Sequence, residues 1–469
     1  FRHVVLVMME NRSFDHFLGW LPGADGRQSG TYTNATGQAW TNYHLTYFQG
    51  CGCDDPDHSY LAGRIALNPT TSACDGWLLA NPKDTYSIGY YLPGDLDFFS
   101  QIAPNWTVCD RYFAAIMAET QPNRIYQHAA QTDCLTNRTT FLLALPTIWD
   151  SLSAGNVSAR YYYDGETFQQ TPLFLWGFKY QSLEYRTSQF YSDCAGGSLP
   201  SVSFVDPELT SATAFAVAQD HNVAPPGVDT GGNDDHPHAD IRNGELFLSR
   251  VYNAIALSPQ WSSTVLIINF DEWGGFYDHV VPPIVPFEQV PGADSLAYGA
   301  VGLAPSDPTY GSRGFRVPCI VISPWSHTNT VNHDTFDHTS VLKLIEDRWN
   351  VANLTARDLY AEDLTNVMDF AHPDYFQPTV LENVPSGSPY GGFCQSIQIA
   401  RQPDGTLAAV WDSTCLKVIL QTAPTLFGPW TDQPNILTPP YVLTPTAGSG
   451  GAFLIRFKVL GSGYVTPPL

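Results

Sequence analysis

Residues 265–279 read VLIINFDEWGGFYDH, and this stretch decides how the rest of the chain is read. Val265 to Phe270 is an almost unbroken apolar run, which suits a strand covered on both faces, as in a parallel sheet. The run stops at two carboxylates, Asp271 and Glu272. Gly274 and Gly275 follow and allow a sharp turn with a close backbone approach. In open α/β sheets, ligands bind beyond the carboxyl ends of the strands. A carboxylate pair at that place is a candidate for metal binding or catalysis; the alternative is a solvated acidic turn.

The start of the chain repeats the pattern. His3 to Met9 (HVVLVMM) is a second apolar strand, ending at Glu10-Asn11. Ser13 is placed to cap a helix starting near Phe14. If the two strands are neighbours, Glu10, Asn11, Asp271 and Glu272 converge. Three of these are anionic and repel one another unless a cation lies between them. An all-oxygen set suits calcium, magnesium or manganese better than a structural zinc.

At 469 residues the chain is too long for one ordinary core, so a large domain and a smaller one are expected. Charged residues make up only 14%, which excludes a disordered chain, and a net charge of −23 argues against nucleic acid and against electrostatic docking on anionic lipid. None of the nine cysteines makes a C-x-x-C pair, and Cys51-Gly52-Cys53 is too tight for a zinc knuckle. Disulfides with one cysteine left over are expected, as in a secreted or periplasmic protein, with Cys394 and Cys415 a candidate pair. Asn34, Asn105, Asn137, Asn156 and Asn353 lie in glycosylation sequons. The chain begins at Phe1 inside its first strand, as it would if a signal segment had been removed. No apolar run is long enough to span a membrane.

Other stretches carry candidate chemistry. Asp54 to Ser59 (DDPDHS) places His58 in an acidic turn, where it either meets phosphate or is solvated. Ala118 to Arg124 (AETQPNR) puts Thr120 at a helix start, with Pro122 at an early helical position. The positive end of a helix favours bound phosphate and an alkoxide, although Thr120 as a plain N-cap is the simpler reading of the local sequence. Residues 147–152 and 158–163 read as helix then strand, and 202–205 and 316–323 as further strands. Asp235-His236-Pro237-His238 ends a polar loop before an amphipathic helix over 239–256. Residues 338–349 form a last helix. From about residue 375, Pro, Gly, Ser and Thr punctuate short alternating strands at 396–400, 407–411, 415–421 and 453–459, an all-β pattern.

Taken together, HVVLVMMENRSFDHFLG (3–19), Asp55 to His58, TVCDRYFAAIMAETQPNR (107–124), PSVSFVDP (200–207), DHPHAD (235–240) and DEWGGFYDHVVPP (271–283) resemble the phosphoesterase family of bacterial and plant phospholipases C and related acid phosphatases. These stretches run in family order across most of residues 1–350. The resemblance implies an alkaline-phosphatase-like, doubly wound α/β/α sandwich, placed over residues 1–375; the β-rich pattern beyond it, which does not obviously match the family's accessory domains, reads as a small separate domain at 385–469. The resemblance also implies one divalent cation, with calcium first and magnesium, manganese or zinc as alternatives, held by Glu10, Asn11, Thr120, Asp271 and Glu272. Thr120 matches the nucleophile, a position occupied by Ser in the phosphatase branch. His58 and His236 match the phosphate-site histidines and join Thr120 and Asn11 in catalysis, while His279 is a further substrate-binding candidate. His238 receives no role. The implied activity is a secreted phospholipase C-type phosphodiesterase working through a phospho-threonine; the alternative is a phosphomonoesterase of the same fold. The expected partners are phospholipids or other phosphate esters and peripheral contact with a membrane. No nucleic acid and no protein partner are expected.

Overall fold

A computed structural model describes residues 1–50, 53–68, 70–71, 73–137, 142–165, 167–209, 232–289, 311–382 and 384–387, with six further strands beyond residue 397. Its centre is an eight-stranded sheet. In chain order the strands are β1 (His3–Met9), β2 (Thr107–Cys109), β3 (Ala159–Tyr163), β4 (Glu184–Arg186), β5 (Val202–Asp206), β6 (Thr264–Phe270), β7 (Cys319–Ile322) and β8 (Thr330–Asn332). The spatial order is β8-β2-β7-β6-β1-β5-β3-β4.

β6 and β1 are adjacent and parallel, in register from His3↔Thr264 to Met9↔Phe270. This is the arrangement the two apolar runs require. Every residue of β6 is buried, as is β1 from Val4 on. Each such aliphatic side chain contributes about 1.5–3 kcal/mol on burial. Because the register ends at Met9 opposite Phe270, Glu10 and Asp271 leave the sheet side by side, and Asp271 N donates to Met9 O at 3.0 Å.

The strand expected over 316–323 is shorter, Cys319–Ile322, and runs antiparallel to both neighbours. Its direction means that the chain re-enters the sheet from the end at which β6 left it. The other seven strands share one direction.

Among the described residues the α-helices are α1 (Phe14–Leu18), α2 (Tyr60–Leu67), α3 (Trp77–Ala80), α4 (Asp97–Ile102), α5 (Thr120–Ala129), α6 (Ile148–Ala154), α7 (Thr187–Gly196), α8 (Ile241–Ala256), α9 (His338–Trp349) and α10 (Ala356–Leu359). α5 packs with α6 and α9, while α8 packs with α4 and α7, giving two helical layers. Ser13 caps α1 as expected, accepting from His16 N. The cap of α5 is Glu119, so Thr120 is the first helical residue and not the cap.

Beyond residue 397, six strands form two three-stranded antiparallel sheets, in line with the all-β pattern. The connection before them is tied to α8: Tyr252 OH donates to Thr379 O, Leu381 N to Asn253 Oδ1, and Gly387 N to Asn243 Oδ1. The chain therefore stays anchored to the first domain two residues past the expected boundary at 385.

The expectation that all but one cysteine pair is corrected. Cys53 is disulfide-bonded, whereas Cys74, Cys109, Cys134, Cys194 and Cys319 form no disulfide; all but Cys134 are buried and pack as small apolar residues. Cys394 and Cys415 lie outside the described residues.

Candidate active site

The site forms where β1 and β6 release their chains. Glu10, Asn11, Asp271 and Glu272 are all fully buried. Asn11 takes a left-handed backbone, φ 59°, and its N–H donates to Asp271 Oδ1 at 3.0 Å. Asp271 Oδ1 also accepts from Glu272 N at 2.7 Å, and Glu272 Oε2 accepts from Gly274 N at 2.7 Å. A Cβ on Gly274, whose φ is +63°, would lie 2.0 Å from Asn11 O, and one on Gly275 would lie 2.6 Å from Pro56. Both glycines are needed for the acidic turn to press against the other two loops of the site.

Thr120 Oγ1 donates to Glu10 Oε2 at 3.2 Å. The hydroxyl therefore faces the carboxylate cluster instead of capping its own helix. As the first residue of α5 it also sits at the positive end of a ten-residue helix. His58 is buried; its Nδ1 donates to Pro56 O at 2.8 Å, leaving Nε2 3.3 Å from Asn11 Nδ2 and 3.8 Å from Glu272 Oε1. His236 Nδ1 donates to Asp234 Oδ2 at 2.7 Å, and its Nε2 lies 3.6 Å from Glu10 Oε2. Burial pulls the His236 pKa down, but Asp234, Glu10 and Asp55 outweigh it and raise it to about 10. These neighbours favour the charged imidazolium of His236, whose side chain is one-fifth open to solvent.

Several buried oxygens of the cluster accept no hydrogen bond: Asn11 Oδ1, Asp271 Oδ2 and Glu272 Oε1. Burial, and then the charge of Glu10, pushes the Asp271 carboxyl well above the usual range. Burial, and then Asp271, does the same to Glu272. Unpaired acceptors and mutually repelling carboxylates in a closed site fit a hard cation.

The structure adds residues that the sequence reading passed over. Arg124, one turn along α5 from Thr120, is fully buried. It reaches Glu10 Oε1 with NH2 at 2.7 Å and Nε at 3.0 Å, Asp206 Oδ2 with NH1 at 3.1 Å, and lies 3.9 Å from Asp271 Oδ2. Burial works against its charge, but Glu10, Asp206 and Asp271 hold the guanidinium more firmly protonated than usual. Arg12 fixes the loop that carries His236, donating to Asp235 O at 2.6 Å and His236 O at 3.0 Å. The i, i+4 spacing of Thr120 and Arg124 was a readable signal. The identity of Arg124's partner on β5 was not.

His279 is placed differently from the other candidates. Its hydrogen bonds go to Asp15 Oδ2 at 2.6 Å and Asp25 Oδ1 at 3.1 Å, not to Glu10, Asn11 or Thr120. Among the described residues, Asp15, Asp278 and His279 are the one group of three His, Cys, Asp or Glu side chains whose ligand atoms all lie within 4.8 Å of one another; Glu10, Asp271 and Glu272 do not close to that distance. A cation already lies there: Arg316, fully buried, donates to Asp278 Oδ1 at 2.9 Å and Asp15 Oδ1 at 3.1 Å. This network ties the far end of the acidic turn to α1. His238 Nε2 donates to Cys53 O at 3.0 Å, a structural tie between loops.

A model of the Phosphoesterase family matches residues 1–352. Phospholipase C B of Mycobacterium tuberculosis is 31% identical over 441 residues, covering 79% of this chain and 78% of its own length. Non-specific phospholipase C4 of Arabidopsis thaliana is 30% identical over 422 residues, covering 81% of this chain and 73% of its own. Among solved structures, a protein in the alkaline phosphatase superfamily from Vibrio parahaemolyticus aligns over 94% of this chain and 82% of its own, at 11% identity and TM-score 0.33. With the family match running from Glu10-Asn11 through Thr120 to Asp271-Glu272, the chain belongs to the Phosphoesterase family and is a phosphoric ester hydrolase.

Proposed function

We propose that this chain is a metal-dependent phosphodiesterase of phospholipase C type that forms a phosphoryl ester on Thr120. The observation that carries the reading is the Thr120 hydroxyl on Glu10, beside three buried oxygens that accept no hydrogen bond. Glu10, Asn11, Asp271 and Glu272 would hold a divalent cation, which would lower the pKa of the Thr120 hydroxyl and polarise the phosphoryl oxygens. Family members of this superfamily generally use divalent ions, and the donor set here is all oxygen.

Thr120 Oγ1 attacks phosphorus in line, losing its proton toward Glu10, and the bond to the leaving alcohol breaks. The positive end of α5 and the Asn11 side chain steady the equatorial oxygens. His236, charged and held by Asp234, donates a proton to the departing alkoxide. Water then cleaves the phospho-threonine and restores the hydroxyl. On a phospholipid the products are diacylglycerol and a phosphorylated head group, consistent with relatives named phospholipases C.

Two assays test this. p-Nitrophenyl phosphorylcholine should be turned over faster than p-nitrophenyl phosphate; the reverse order would make the chain a phosphomonoesterase. Exhaustive chelation, verified by metal analysis, should abolish turnover, and an unchanged rate would refute the metal role.

A further inference from the structure

One residue holds the backbone on both sides of Thr120. Asn137 N donates to Glu119 Oε2 at 2.6 Å, and Gln121 N donates to Asn137 Oδ1 at 2.8 Å. On sequence grounds Asn137 is only a member of a glycosylation sequon. The two bonds replace an ordinary helix cap. An N-cap side chain accepts from the amide of the second or third helical residue. Glu119, at the cap position of α5, makes no such bond. Its carboxylate is turned to Asn137 N instead, and Asn137 Oδ1 takes Gln121 N, the second helical amide.

The return of the chain puts Asn137 there. α5 stops at Ala129, and Ala130, with φ 54°, turns the chain back. A ten-residue helix is about 15 Å long. Residues 131–137 can span up to about 23 Å, enough to regain its start. Two contacts pin this return. Thr355 Oγ1 donates to Ala130 O at 3.1 Å, and Leu135 is buried in a small apolar cluster with Ile116, Ala118 and Tyr126. Asn123, fully buried, holds the approach to the nucleophile: its Oδ1 accepts from Ile116 N at 3.1 Å, and its Nδ2 donates to Ala118 O at 2.9 Å and Glu119 O at 3.1 Å. Asn123 thus fixes the chain before Thr120, whereas Asn137 ties down the residues on either side of it.

We propose that Asn137 is a positioning residue for the nucleophile: by fixing the residues before and after Thr120, it sets the line along which the Thr120 oxygen meets phosphorus. This rests on the reading of Thr120 above. Among the described residues the Thr120 hydroxyl has one hydrogen bond, to Glu10 Oε2 at 3.2 Å, so its direction is left largely to the backbone. Attack in line tolerates little displacement, and about 1 Å costs on the order of 10²-fold in rate.

The test follows Asn137→Ala and Asn137→Asp in the full chain, with phosphorus-labelled p-nitrophenyl phosphorylcholine as substrate. The backbone N–H of residue 137 survives both changes; the side-chain acceptor for Gln121 N survives only in Asn137→Asp. Asn137→Ala should lower kcat about tenfold or more with KM within about twofold, and slow the labelling of Thr120 in a rapid quench by the same factor. Asn137→Asp should recover kcat to within about threefold of the parent. Glu119→Ala cuts the other bond and gives an independent variant should Asn137→Ala fail to fold. It should lower kcat likewise, and the double variant should lose little more than the larger single loss, because both cut one clamp. Circular dichroism at the assay temperature checks the folding of each. A kcat within about twofold of the parent in folded Asn137→Ala overturns the proposal. So does a loss carried by KM, or one that Asn137→Asp does not recover, since the residue then serves binding or the stability of the loop and not the nucleophile. Label reaching Thr120 at an unchanged rate overturns the clamp and leaves the proposed function standing; no label on Thr120 in the parent overturns the proposed function itself, and the clamp with it.

Discussion

Arg124 is the structural key of the site, and Arg124→Met is the perturbation that shows it. The guanidinium touches Glu10 twice and Asp206 once, and also donates to Met8 O and Met9 O, all in the interior. Methionine keeps most of the volume and removes the charge. Breaking a buried pair by deleting one partner costs about 3–5 kcal/mol, because the remaining charge is left uncompensated. Here Glu10 and Asp206 would both lose their cation, so the loss belongs at the upper end of that range. Against a total stability of about 5–15 kcal/mol this is a large fraction. Urea unfolding followed by far-UV circular dichroism gives the number. The double variant Arg124→Met/Asp206→Asn should recover about 1 kcal/mol or more of the loss, since it removes one stranded carboxylate with its partner. A loss below about 1 kcal/mol in Arg124→Met would refute the reasoning, placing the pair in the class of solvent-screened surface bridges.

Gly274→Ala should destabilise the chain by about 2 kcal/mol or more, because its φ of +63° disfavours a side chain and the new Cβ would meet Asn11 O at 2.0 Å; thermal unfolding checks this. His128 is buried and accepts from Trp149 Nε1 at 3.1 Å, and burial first, then Arg124, lowers its pKa to about 3. Its folded pKa lies below the unfolded one, so it is neutral when folded and takes up a proton on unfolding. Stability should therefore fall as pH drops below about 6.5, by about 2 kcal/mol between pH 7 and pH 5, and His128→Gln should flatten that part of the curve. A chain ending at residue 387 should retain turnover of a small soluble ester within about threefold, since the family match ends at residue 352 and the chain up to Gly387 keeps its ties to α8; steady-state kinetics on the truncated chain measure it.

How much was legible beforehand varies with the kind of interaction. The meeting of Glu10 with Asp271 could be read because two apolar runs each end in an acidic pair, and buried strands with matching ends pair in register. Thr120 could be read as standing at a helix start, but its role could not: whether the hydroxyl caps its own helix or reaches Glu10 depends on which residue ends the preceding loop, and Glu119 does. His279 shares a motif with Asp271, yet by that point the chain has passed two glycines and turned toward Asp15. Proximity in sequence therefore gave no guide to its partners. The direction of β7 was hidden because an apolar run looks the same in both directions. The cysteines misled because a buried thiol and a half-cystine have the same letter and the same apolar neighbours.

The central claim is that phosphorus passes through the Thr120 oxygen. Brief incubation with a phosphorus-labelled diester, acid quench and peptide mapping test it directly. Label is expected on the peptide containing Thr120. Thr120→Ala should lack it and lose about 10³-fold or more in rate, at least about 4 kcal/mol of transition-state stabilisation, while unfolding normally. Thr120→Ser should keep both label and activity. Label on another residue, or near-normal turnover by Thr120→Ala, would contradict the account.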